Sequence, residues 1–126
     1  MTGTATEAPW SIHYADGAAN VYRFEQRSAG AEVSFEYVPV TPEMSSTGSY
    51  SGGAPHRARL AAGDARVAEL WRRVEGLEAD TASHADARAK GTGAFRIRTP
   101  SGTRAFIVQQ GARLDEIHSF LAGFRE

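Results

Sequence analysis

The sequence has no cysteine among its 126 residues. That removes disulfides, thiolate nucleophiles and cysteine-held zinc or iron–sulfur centres. Lysine is almost absent too: Lys90 stands beside thirteen arginines, a usage that suits carboxylate or phosphate recognition but is more often the mark of a GC-rich genome. No apolar run is long enough to cross a bilayer. The opening MTGTATEAPW has neither the basic start nor the apolar centre of a secretory leader, so a cytoplasmic protein is expected. The histidines, His13, His56, His84 and His118, form no H-x-H or H-E-x-x-H pair, so no metal site is expected. GxxxxGK[ST] is missing, and no cofactor is expected. Fourteen basic against fifteen acidic side chains leave a net charge of −1, which offers no general field for nucleic acid or a membrane. The charge is unevenly placed: residues 1–50 hold two basic and six acidic groups, and residues 51–126 hold twelve and nine.

The length suits one domain over 1–126, with residues 1–8 as a small polar tail. From Trp10, apolar residues alternate with polar ones. Trp10, Ile12 and Tyr14 share one face of a first strand, and Asp16-Gly17 turns it. Tyr22 and Phe24 mark a second strand over Asn20–Arg27, and Val33, Phe35 and Tyr37 a third over Ala31–Val38. Alternation of this kind predicts antiparallel strands with one face in water. The period then changes: Val67, Leu70, Trp71, Val74 and Leu77 form one stripe of a helix over Gly63–Ala79, with Asp64 placed to cap it. Asp80–Gly93 has few large apolar groups and reads as a frayed helix end and a connection. Strand pattern resumes at Ala94–Thr99 and, after Pro100-Ser101-Gly102, at Thr103–Gln109. A last helix, Ala112–Phe124, carries Leu114, Ile117, Phe120, Leu121 and Phe124 on its apolar side.

These elements predict an α+β two-layer sandwich: an antiparallel sheet of four or five strands with two helices on one face. The two helices align without a gap at an offset of 47, and Tyr22-Arg23-Phe24 resembles Phe95-Arg96-Ile97 at an offset of 73. A duplicated ββα unit would account for both, with about 26 extra residues in the first copy. Glu25, Glu32 and Glu36 on the early strands would then face Arg96, Arg98 and Arg104 on the late ones.

The extra residues fall on Pro39–Pro55, PVTPEMSSTGSYSGGAP, where 12 of 17 residues are Pro, Gly, Ser or Thr. A loop of that length within a compact domain is a natural place for function. Met44 and Val40 are expected to pin it by packing, while Tyr50 offers an amphipathic contact. The candidate binding residues are Glu43, Tyr50, Ser51, His56 and Arg57. Two readings follow. One is a non-enzymatic module, monomeric or joined as a homodimer through an edge strand, that presents the 39–55 loop to another protein. The other is a small hydrolase or transferase using Tyr50, Ser51 and His56, although no G-x-S-x-G elbow and no third group are visible. His118 reads as a boundary residue with one satisfied hydrogen bond.

From about Leu60 onward, Leu70-Trp71, Gly93-Ala94-Phe95-Arg96-Ile97, Gly102, Phe106-Ile107-Val108 and the span Leu114 to Leu121 occur in an order that resembles the small bacterial emfourin-type inhibitors of thermolysin-like metalloproteases. The resemblance implies a compact sheet-plus-helix domain and, as one form of the binding reading, inhibition of a partner enzyme. It rests on structural positions and names no functional residue.

Overall fold

A computed structural model of the chain describes residues 7–44, 48 and 51–125. In chain order the elements are β1 (Trp10–Ala15), β2 (Val21–Gln26), β3 (Val33–Val38), β4 (His56–Leu60), α1 (Ala65–Ala79), β5 (His84–Ala85), β6 (Gly93–Thr99), β7 (Gly102–Val108) and α2 (Ala112–Ala122). All seven strands join one antiparallel sheet in the order β4-β3-β2-β1-β6-β7-β5. The α+β class is as expected, but the sheet has seven strands rather than four or five. The added strands are the two edges. β4 carries only one fully buried residue, Leu60, and β5 is two residues long, so neither has a readable hydrophobic period.

Alternation places the sheet's large residues under the helices. One register line runs Phe106, Phe95, Tyr14, Tyr22, Tyr37, His56 across six strands. From Phe106 to Tyr37 its successive rings lie 5.1, 4.8, 5.5 and 4.9 Å apart, within the range of favourable aromatic contact. Helix α1 buries the predicted stripe of Val67, Leu70, Trp71, Val74 and Leu77, with Trp71 edge-on to Trp10 at 5.0 Å. The Asp64 carboxylate accepts from Arg66 N–H at 2.8 Å, filling the capping role its position suggests. Helix α2 adds Leu114, Ile117 and Leu121, followed by Phe124.

Two further expectations are corrected by the topology. β2 and β6 are both antiparallel to β1, hence parallel to each other, and both bury their aromatic faces in one core. Yet β3 lies on the far side of β2 from β1, and β7 on the far side of β6. Two hairpins with the same direction and buried face that open to opposite sides cannot be superposed by rotation. The ββα likeness is a shared alternation, not a structural repeat. The charge pairing also differs. Glu36 meets Arg23 at 3.6 Å and Arg57 at 3.1 Å, Glu32 meets Arg59 at 3.5 Å, and Glu25 meets His13 at 3.4 Å. Arg104 sits opposite Ile97 on the helix-covered side and pairs with Glu78 of α1 at 2.7 Å. Strand β1 separates the early glutamates from the late arginines.

Candidate functional site

The open face of the sheet is ordered in three register lines. The first, Ala85, Ile107, Ala94, Ala15, Val21, Val38, is apolar and half-buried, with no helix over it among the described residues. Beside it runs Ala105, Arg96, His13, Arg23, Glu36, Arg57, which is predominantly cationic. The third holds Thr103, Arg98, Ser11, Glu25, Ser34 and Arg59. Small side chains at Ala15, Ala85, Ala94 and Ala105 leave a hollow between taller neighbours. The result is an open groove of about 710 Å³ running from β5 to β2, with His13, Arg23 and Arg96 on one side and Asp86 at the β5 edge. Four strand spacings give it a length of roughly 19 Å.

The charges of the groove are unequally compensated. Arg23 shares Glu36 with Arg57. No carboxylate among the described residues lies within ion-pair distance of Arg96 or Arg98. His13 is flanked in register by Arg23 and Arg96. Burial holds its imidazole below the ordinary value of 6.5; the Glu25 bond opposes this, and the two arginines reinforce it. The groove therefore presents a fixed cation, Arg96, beside an imidazole that favours its neutral form.

The sheet end nearest the apolar line is tied by buried polar groups. Asp16 accepts from the Ala18 and Asn20 backbone N–H groups, both at 2.9 Å, and from the Asn20 side chain. The Asn20 side-chain oxygen in turn accepts from Val40 N–H at 2.8 Å. Gly52 N–H donates to the Val40 carbonyl at 2.9 Å, and the Tyr37 hydroxyl donates to the Gly52 carbonyl. Arg125 lies 4.0 Å above the Tyr37 ring. These bonds clamp both roots of the 39–55 loop against the β1–β2 turn. Val40 is buried as expected, whereas Met44 is 62% exposed and does not pin the loop.

The sequence-derived candidates are not gathered into one place. Glu43 is exposed on a 3-10 turn, Pro42–Met44, where its own N–H and the Thr41 hydroxyl hold its carboxyl below the usual range. Tyr50 lies outside the described residues. Ser51 is exposed and its hydroxyl accepts from Gly53 N–H at 3.2 Å. His56 is half-buried on the helix-covered side, its ring 6.1 Å from that of Phe35, while Arg57, the next residue, faces the open side with Glu36. Among the described residues no hydrogen bond joins Ser51 to His56, and no three His, Asp or Glu side chains converge as metal ligands. His118 lies half-buried on α2 with Nδ1 at 3.1 Å from the Tyr14 hydroxyl. Burial, reinforced by Asp16, pushes the Tyr14 phenol upward and keeps it protonated.

The groove residues were legible only in part. Arg96 and Arg98 stand out as a basic pair, but alanine at outward strand positions is an inconspicuous signal. Ala15, Ala94 and Ala105, each alternating with large inward residues, are the positions that could have shown it. No helix among the described residues is long and apolar enough to cross a membrane. Comparison with protein-family models, with curated proteins and with solved structures gave no significant match.

Proposed function

We propose that this chain is a non-enzymatic binding module whose recognition surface is the open face of the sheet. The supporting observation is the juxtaposition, on that face, of a half-buried apolar floor with a line that holds Arg96 and Arg23, Arg96 having no carboxylate within ion-pair distance among the described residues. Ligand sites are typically concave and apolar, with a few polar groups that fix orientation. The hydrolase reading lacks support of the same kind, because Ser51 and His56 do not form a nucleophile–base pair.

A thermal-shift screen of small ligands against wild type and Ala94→Leu tests this. Ala94 lies between Ala15 and Ile107 in the floor, so leucine fills the groove without touching the core. Ligands that stabilise wild type and lose their effect in Ala94→Leu support the reading. Stabilisation that is equal in both proteins places binding elsewhere and overturns it.

A second reading, presentation of the 39–55 loop to a partner protein in the manner of an inhibitor, draws support from the clamp. The bonds among Asn20, Val40, Gly52 and Tyr37 hold both loop roots and lessen the ordering cost of binding.

A further inference from the structure

We infer that the groove takes a small amphipathic anion, a carboxylate with an unbranched or flat apolar body, and that Arg96 receives its head. This rests on the open face being the binding surface. The floor decides one half of the ligand. Ala94, Ala15, Ile107 and Val21 offer carbon and no side-chain hydrogen-bonding group, so an extended polar ligand would lose water there without replacement. An apolar body of similar length loses nothing and gains burial.

The adjacent line decides the other half. Arg96 is one residue pair from Ala105 on one side and from His13 on the other. Its guanidinium has no carboxylate within ion-pair reach among the described residues. Five arginines, Arg23, Arg57, Arg59, Arg96 and Arg98, lie on this face with Glu25, Glu32 and Glu36, and with Asp86 at the groove's β5 edge. The glutamates are engaged by His13, Arg23, Arg57 and Arg59, all on the β1-to-β4 side. The uncompensated positive charge is therefore local to β6, which also contributes Ala94 to the floor. A guanidinium binds a carboxylate through two parallel N–H donors, which would orient the head while the body lies along Ala94 and Ala15. A cationic amphiphile would meet Arg96, Arg23 and Arg98 with like charge.

The test is an amide chemical-shift titration of the intact protein with decanoate, decanol and decyltrimethylammonium, each below its aggregation concentration. These share an apolar body and differ in the head. The inference expects decanoate to move the Ala15, Ala94, Arg96 and Ile107 amides and to bind about tenfold or more tighter than decanol, as one charge-assisted hydrogen bond implies. Arg96→Gln should reduce decanoate to the level of decanol and leave decanol unchanged, whereas Ala94→Leu should weaken both. Equal binding of all three ligands at the groove would overturn the anion assignment while leaving the open-face module standing. Shifts confined to other parts of the molecule, or none with any of the three, would overturn both. A peptide with a free C-terminal carboxylate that bound at the same amides more tightly than decanoate would overturn the small-molecule assignment.

Discussion

The two faces of the sheet follow the same pleat and register but have opposite contents. Along one line on the helix side lie Phe106, Phe95, Tyr14, Tyr22 and Tyr37; one residue away on the open side, the matching line reads Ala105, Arg96, His13, Arg23 and Glu36. Both faces have apolar surface, but among the described residues only one has helices over it. The covered face explains stability, since the largest buried side chains are all directed there. The apolar line of the open face, Ile107, Ala94, Ala15 and Val21, adds little to the core and has no helix over it among the described residues. A half-buried apolar strip bordered by charge, with no helix packed on it among the described residues, suits a binding surface.

Substitutions on the two faces should therefore separate folding from binding. Trp71→Ala empties a site packed against Trp10 and should cost roughly 3–5 kcal/mol in denaturant unfolding. A wild-type unfolding curve would show that α1 does not carry the core. Gly52→Ala comes next. A Cβ there would stand 1.9 Å from the Asn20 side-chain oxygen, displacing the group that accepts from buried Val40 N–H. A loss of about 1–3 kcal/mol is expected, with faster exchange of the Val40 amide. If exchange there does not change, the loop roots are not clamped by Asn20.

His13 gives a smaller and pH-dependent effect. Its folded-state affinity for a proton is below that of the unfolded chain, so below about pH 6.5 the unfolded state binds more protons. Its contribution is complete above that value and is lost as pH falls through the lowered folded value. His13→Gln should flatten that part of the stability–pH curve; an equally steep decline in the variant would assign it to other groups. The smallest effect on folding is expected from Arg96→Gln, within about 0.5 kcal/mol of wild type, as for most exposed positions. A cooperative loss of several kcal/mol would show that Arg96 is structural.

Much of the covered face could be read from the sequence because large residues announce their period. Trp10, Ile12 and Tyr14, then Tyr22 and Phe24, then Phe95 and Ile97 alternate cleanly, and Val67 to Leu77 fall at helical spacing. The edges could not be read in this way. Arg57 and Arg59 in β4 face water, and His84-Ala85 is too short to have a period. Charge pairing failed for a topological reason: Glu36 finds Arg23 and Arg57 on the strands that adjoin its own, and no sequence pattern reveals that β1 lies between β2 and β6. The attention drawn by residues 39–55 came from composition. The groove, by contrast, is made by what alanines leave empty, and it exists only once five strands stand side by side.

The most direct measurement compares decanoate binding by wild type, Ala94→Leu and a variant whose residues 43–50 are replaced by a short Gly-Ser linker, leaving Val40 and Gly52 in place. Binding that survives in the linker variant and is lost in Ala94→Leu is the result predicted for an open-face site. Binding that survives in Ala94→Leu and is lost in the linker variant would contradict it and assign recognition to the loop.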